Sequence, residues 1–177
     1  YEDEIDRYSR RTPYQFVLEV TMEKPGVKQN WKQYDSDNDG LWTSMYGAGE
    51  CFAYAATGSI QAKVRAKKAF DAMVFLGDVT QGNKHSPPPG YVARTVLPTS
   101  GPDPNIGRIE RDKHKKETDD TMWKIYEPRW PVSADGKWYY KTDTSSDELD
   151  GHYFLYALYY DLVADTEFEK ERVREQI

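Results

Sequence analysis

The chain has one cysteine among its 177 residues, Cys51. No disulfide can form within it, and the redox compartment stays open. It has no apolar run long enough to span a bilayer and no visible secretory leader, so membrane insertion is not expected. It has no excess of base: 24 Lys and Arg stand against 30 Asp and Glu, a formal charge of −6. That balance disfavours nucleic acid or an anionic membrane surface as the main partner. The serine-hydrolase elbow, the Walker loop and the dinucleotide glycine fingerprint are all missing, which leaves those chemistries without support. Tyr1 and Ile177 both look internal, and the chain reads as a piece of a longer protein.

What the chain does hold is aromatic: 14 Tyr and 5 Trp in an otherwise polar sequence. Most of these rings are expected to fill a core and its rim, and the remainder suit a surface that stacks on sugars. It also holds a repeated acidic turn. Asp35-Ser36-Asp37-Asn38-Asp39-Gly40-Leu41-Trp42 corresponds to Asp143-Thr144-Ser145-Ser146-Asp147-Glu148-Leu149-Asp150. At a fixed offset Asp35 matches Asp143, Asp39 matches Asp147 and Leu41 matches Leu149. Each copy runs into an aromatic-rich apolar stretch, a short turn and a charged helix, and repetition of one such unit signals an array of helix pairs.

The periodicity fills in those pairs. Leu41, Met45, Ala48, Phe52 and Ala55 predict a helix over 41–56 that Asp39 caps. Gly58 stops it and Ser59 caps a second helix over 60–75. Phe154, Leu155, Leu158, Tyr159 and Leu162 predict a third helix over 149–163, with a fourth from Glu167. Residues 1–34 read as an N-terminal extension or linker, with strand-like content at Tyr14–Val20. Residues 77–142 read as a long irregular, partly β insert in a hairpin domain spanning 35–177. Its proline clusters argue for loop, and its aromatics argue for order. Asp135-Gly136 is expected to close a small hairpin between Trp130 and Trp138. The run Lys113-His114-Lys115-Lys116 with its following acids reads as a solvated loop.

Several residues have the chemistry of a sugar site. Asp39 and Asp147, at corresponding helix starts, are candidates for the paired carboxyls of glycoside hydrolysis, with Glu148 in reserve. His152 follows Glu148 by one helical turn and is a candidate acid or base near neutral pH. With Tyr153 or Tyr46 as proton donor and Arg94 neutralising a uronate, the same residues suit β-elimination. Trp42, Tyr46 and Trp138 are candidate stacking platforms, and Arg94, His152 and Tyr153 candidate substrate contacts. Each also has a plain structural role: a cap for the acids, a rim hydrogen bond for His152, a salt bridge for Arg94. Asp35, Asp37 and Asp39 match the start of a calcium loop, but Tyr46 stands where its bidentate Glu belongs. A calcium site outside the EF-hand class remains open at those three residues. No other cofactor is expected, and Glu148 with His152 lacks a third metal ligand.

The stretches Asp37–Tyr46, Ala53–Gly58 and Asp143–Glu148 with Gly151-His152-Tyr153 resemble bacterial six-hairpin proteins. These are (α/α) toroids related to glycoside hydrolases and polysaccharide lyases. The resemblance implies an all-α fold of helical hairpins and a carbohydrate cleft where the inner helices begin. It implies an oligo- or polysaccharide partner and a periplasmic or extracellular location. A full toroid has six hairpins and two are visible here. Further hairpins of the parent protein or another chain are therefore expected partners, and a noncatalytic glycan-binding or sensor module is an alternative to hydrolase and lyase.

Overall fold

A computed structural model describes residues 1–33 and 37–177. Asp35 therefore lies outside the described residues. The chain opens with one helical turn, α1 (Glu2–Glu4), continued by a π-helical turn at Ile5–Ser9. Two short antiparallel ladders follow. β1 (Arg10–Arg11) pairs with β2 (Phe16–Val17), and β3 (Val20–Thr21) with β4 (Lys32–Gln33). Residues 1–33 are not a detached extension. Phe16 and Leu18 are buried with the core, and Val17 N–H donates to Thr43 Oγ1 at 3.0 Å.

The apolar spacing from Leu41 folds as α2 (Asp39–Thr57). Gly58 ends it at φ 68°, a left-handed conformation that glycine adopts without a side-chain clash. Ser59 then caps α3 (Ile60–Asp78) by accepting from Ala62 N–H. Beyond α3 come β5 (Val96–Pro98), α4 (Arg108–Thr118) and β6 (Trp138–Tyr140), with β5 antiparallel to β6. The chain closes with α5 (Ser146–Leu162) and α6 (Glu167–Arg174).

The all-α toroid expected above is corrected by this architecture. The described residues are 47% helical with 9% strand in small sheets, a mixed helix-rich fold and not a clear toroid. The physical reason lies in the segments between the helices. Their β-branched and aromatic residues satisfy their backbone groups by pairing with each other. Ser133 N–H bonds to Trp138 O at 2.8 Å around the Asp135-Gly136 turn, and Val96 faces Tyr140 across the β5–β6 ladder. The lysine run is also not a loop. It lies on α4, supported by the i,i+4 pairs Arg108–Asp112 and Lys115–Asp119. The centre of this insert is ionic. Arg129, 1% exposed, is ion-paired to Asp112 and Asp143 and lies over the rings of Trp123 and Tyr126.

The main core lies where α2, α3 and α5 meet. Phe70 of α3 stacks on Tyr159 of α5 at 4.5 Å, and Cys51 of α2 is wholly buried, its thiol pushed up to about 12 foremost by that burial. Glycines set how closely α2 and α5 approach. A Cβ on Gly40 would meet Glu148 and His152, one on Gly47 would meet Leu155, and one on Gly151 would meet Leu41 and Ser44. Contacts that ascend both helices together make α2 and α5 parallel neighbours. Gly47→Ala would place its methyl 2.7 Å from Ala69 Cβ and 3.0 Å from Leu155 Cδ1. Overpacking of this kind costs about 1–3 kcal/mol, and outweighs the helix-propensity gain of about 1 kcal/mol. Gly49, two residues on, meets nothing within 4 Å. Gly47→Ala is expected to lower the denaturant midpoint and Gly49→Ala to raise it; the same sign for both would refute the packing account.

Candidate functional site

Asp39, expected at a cleft, is wholly buried. Its Oδ2 accepts from Thr95 Oγ1 at 3.0 Å and Val96 N–H at 3.1 Å, and is ion-paired with Arg11. The first residue of α2 is thus tied to β1 and to the start of β5, and no face of this carboxylate oxygen is offered to a substrate. Asp147 is exposed at the start of α5. Its carboxyl is held below the usual range, first by the Ser145 hydroxyl and further by the Arg94 guanidinium. One is a buried structural anion and the other an open surface anion, so they do not flank one bond.

Glu148 and His152 do come together, inside the protein. Both side chains converge on Gly40, where an added Cβ would lie 2.6 Å from Glu148 Oε2 and 2.9 Å from His152 Nε2. Glu148 Oε2 accepts from Leu41 N–H at 3.0 Å, and His152 Nδ1 meets Tyr156 Oη at 2.9 Å. Glu148 Oε1 and His152 Nε2 are buried without hydrogen-bond partners. Burial raises the Glu148 pKa from 4.5 to about 7 and depresses that of His152 from 6.5 to about 3. Folded, the pair is a protonated carboxyl beside a neutral imidazole over most of the acidic range. Removing water disfavours each charged form.

His152 and Tyr156 reach the floor of a cleft of about 200 Å³. Its walls are Asp78 at the end of α3, Gln81 just beyond it, Tyr153 on α5, and Glu175 and Gln176 after α6. Tyr153 is half exposed, and burial raises the Asp78 carboxyl above its usual range against the opposing pull of Arg172. Of the expected substrate contacts, Tyr153 and His152 line this cleft. Trp138 is buried in the core, edge-on to Tyr14 and Phe75, and is not a platform. Tyr46 donates to Glu2 at 2.7 Å and accepts from Arg10 at 2.9 Å, whose guanidinium covers the ring. Trp42 is exposed on α2 and does not line the cleft.

Arg94 donates from Nε to Asp37 O at 2.7 Å and lines another cavity, with Trp123, Tyr126 and Thr144. The lyase constellation of Arg94 with His152 and Tyr46 is therefore spread over three places. At the acidic turn, Asp37 is ion-paired with Lys141 and Asp39 with Arg11. A calcium ion there would compete with two resident cations. Among the described residues, no group of three or more His, Cys, Asp or Glu is placed to hold a metal.

Sequence reasoning missed Arg11, Asp78, Gln81, Glu175 and Gln176. The Arg10-Arg11 pair, a basic step in an acidic segment, was the available signal for the first. The other four sit at helix ends that periodicity does not align. Comparison with protein-family models, curated proteins and solved structures finds no match. The six-hairpin resemblance rests on its motif residues alone.

The buried pair sets a pH dependence. Glu148 has the higher folded pKa, so its share of stability is complete below pH 4.5 and is lost as pH rises to about 7. His152 has the lower folded pKa, so its share is complete above pH 6.5 and is lost as pH falls toward 3. Between pH 4.5 and 6.5 folded and unfolded pairs bind the same number of protons, and the two slopes cancel. Glu148→Gln keeps an acceptor for Leu41 and removes the first loss. The variant is expected to gain on the parent progressively from pH 4.5 to 7, by up to about 3 kcal/mol, and to level off above. Denaturant melts across this range test it; a pH-independent difference would show that Glu148 does not hold the proton.

Proposed function

We propose that the chain is a carbohydrate-binding module whose site is the cleft between the C-terminal ends of α3 and α6 and the side of α5 that carries Tyr153. The observation that carries this reading is the half-exposed Tyr153 ring among the side chains of Asp78, Gln81, Glu175 and Gln176. A ring with one open face stacks on the C–H face of a sugar, while amides donate to and accept from its hydroxyls and carboxylates accept from them. Beneath the floor, buried His152 and Tyr156 are bonded to each other, Nδ1 to Oη at 2.9 Å, and brace it. The cleft's acids, Asp78 and Glu175, favour a neutral or cationic saccharide over a uronate.

One observation favours hydrolysis as a second reading. Asp78 and Glu175 are carboxyls in one cleft, and burial lifts the pKa of Asp78. Asp78 would serve as the acid and Glu175 as the base, in place of Asp39 and Asp147.

A panel of neutral and amino-sugar oligosaccharides, titrated by calorimetry and assayed for new reducing ends, tests both readings. Binding is expected, with Tyr153→Ala weakening it ~5- to 10-fold through loss of the stacking face. Absence of binding across the panel, or binding indifferent to Tyr153, overturns the module reading. Reducing ends that vanish in Asp78→Asn while binding persists would establish the hydrolase.

A further inference from the structure

α2 and α5 lie side by side with α3 packed against both, and among the described residues no helix or strand covers the opposite side of the pair. On α2, Trp42, Met45, Gly49, Phe52 and Ala56 are all exposed and recur at alternating three- and four-residue steps. That is the spacing of a seam that receives another helix. Met45 exposes 54% and Phe52 52% of their surface, and Phe154 on α5 exposes 48%. At ~100° per residue, Phe154 and Leu158 lie on the same side of α5 as Met45 and Phe52 do of α2. The parallel register fixed by Gly40, Gly47 and Gly151 joins the two rows into one groove.

Charge and area identify the occupant. Neither helix carries a lysine or arginine, and Asp147, Asp150 and Asp161 stand exposed along the outer border of α5. Trp42, Met45, Phe52 and Phe154 each show about half of a large side chain, roughly 400 Å² together. A stable dimer needs ~800 Å² from each partner, twice what this face offers. One helix with a single apolar stripe fits it.

We propose that this groove binds one amphipathic helix of another polypeptide, its apolar stripe bordered by lysines and arginines. Met45 and Phe52 take the stripe, Gly49 between them lets the incoming helix come close, and Asp150 and Asp161 meet its basic border. The site is separate from the saccharide cleft and does not depend on it.

The probe is a fluorescein-labelled synthetic helix of about three heptads, with leucine at the seam positions and lysine on both borders. A second peptide carries glutamate in place of lysine. Fluorescence anisotropy is expected to show the lysine peptide binding at least ~10-fold more tightly than the glutamate peptide. Phe52→Asp and, separately, Met45→Asp should abolish binding while the protein stays folded, with a cooperative melt lowered by only a few degrees, since about half of each side chain is already in solvent. The double variant Asp150→Lys, Asp161→Lys should reverse the peptide preference. Equal affinity for both peptides, no affinity for either, or binding untouched by Phe52→Asp and Met45→Asp overturns the proposal. So does a concentration-dependent dimer of the chain that Phe52→Asp dissolves, which would make a second copy the occupant.

Discussion

The ion pair between Arg11 and Asp39 joins three parts of the chain that are far apart in sequence: the N-terminal ladder, the start of α2 and the start of β5. A carboxylate with no exposure is tolerable only if its charge is matched and its oxygens are bonded. Arg11, Thr95 and Val96 do this for Asp39 Oδ2. The three donors come from the N-terminal ladder and the threshold of β5, so satisfying one acid fixes the start of α2 against both. Arg11 also donates to Val96 O at 2.7 Å, which closes the circuit. Removal of Arg11 would take a guanidinium away from a carboxylate with no exposure, a heavier fault than the loss of a surface pair.

From that fixed point α2 runs alongside α5 at a distance set by glycine. The close approach has a chemical consequence: it buries Glu148 and His152 against Gly40, with Leu41 N–H bonded to the acid and Tyr156 Oη to the imidazole. Burial is the foremost cause of both opposite pKa displacements, acting once on an acid and once on a base. The inward side of the same helix pair is thus dry and proton-bearing, while its outward side is apolar and fringed with acid.

The helices were legible because their signals are local. The apolar steps from Leu41 to Ala55 and the Gly58-Ser59 break fix α2 and α3 with no reference to the rest of the chain. The fold class was not legible, because it depends on pairings such as Val96 with Tyr140, set by segments far apart in sequence. The same distinction divides the site. His152 and Tyr153 stood out by type and position and do line the cleft, whereas Asp78 and Glu175 reach it only through the packing of α3, α5 and α6. Asp39 shows the limit most clearly. Its place at a helix start was readable, but burial and Arg11 decide its role, and neither is written in the acidic turn itself.

The parallel course of α2 and α5 brings two helix N-termini to one end of the molecule. Each carries about half a positive charge from its aligned peptide dipoles, and side by side they repel. The matching acids of the repeated turn, Asp39 on one helix and Asp147 on the other, sit in that combined field. The duplication noticed in the sequence is therefore electrostatic in meaning: two like poles are held together by anions placed at both.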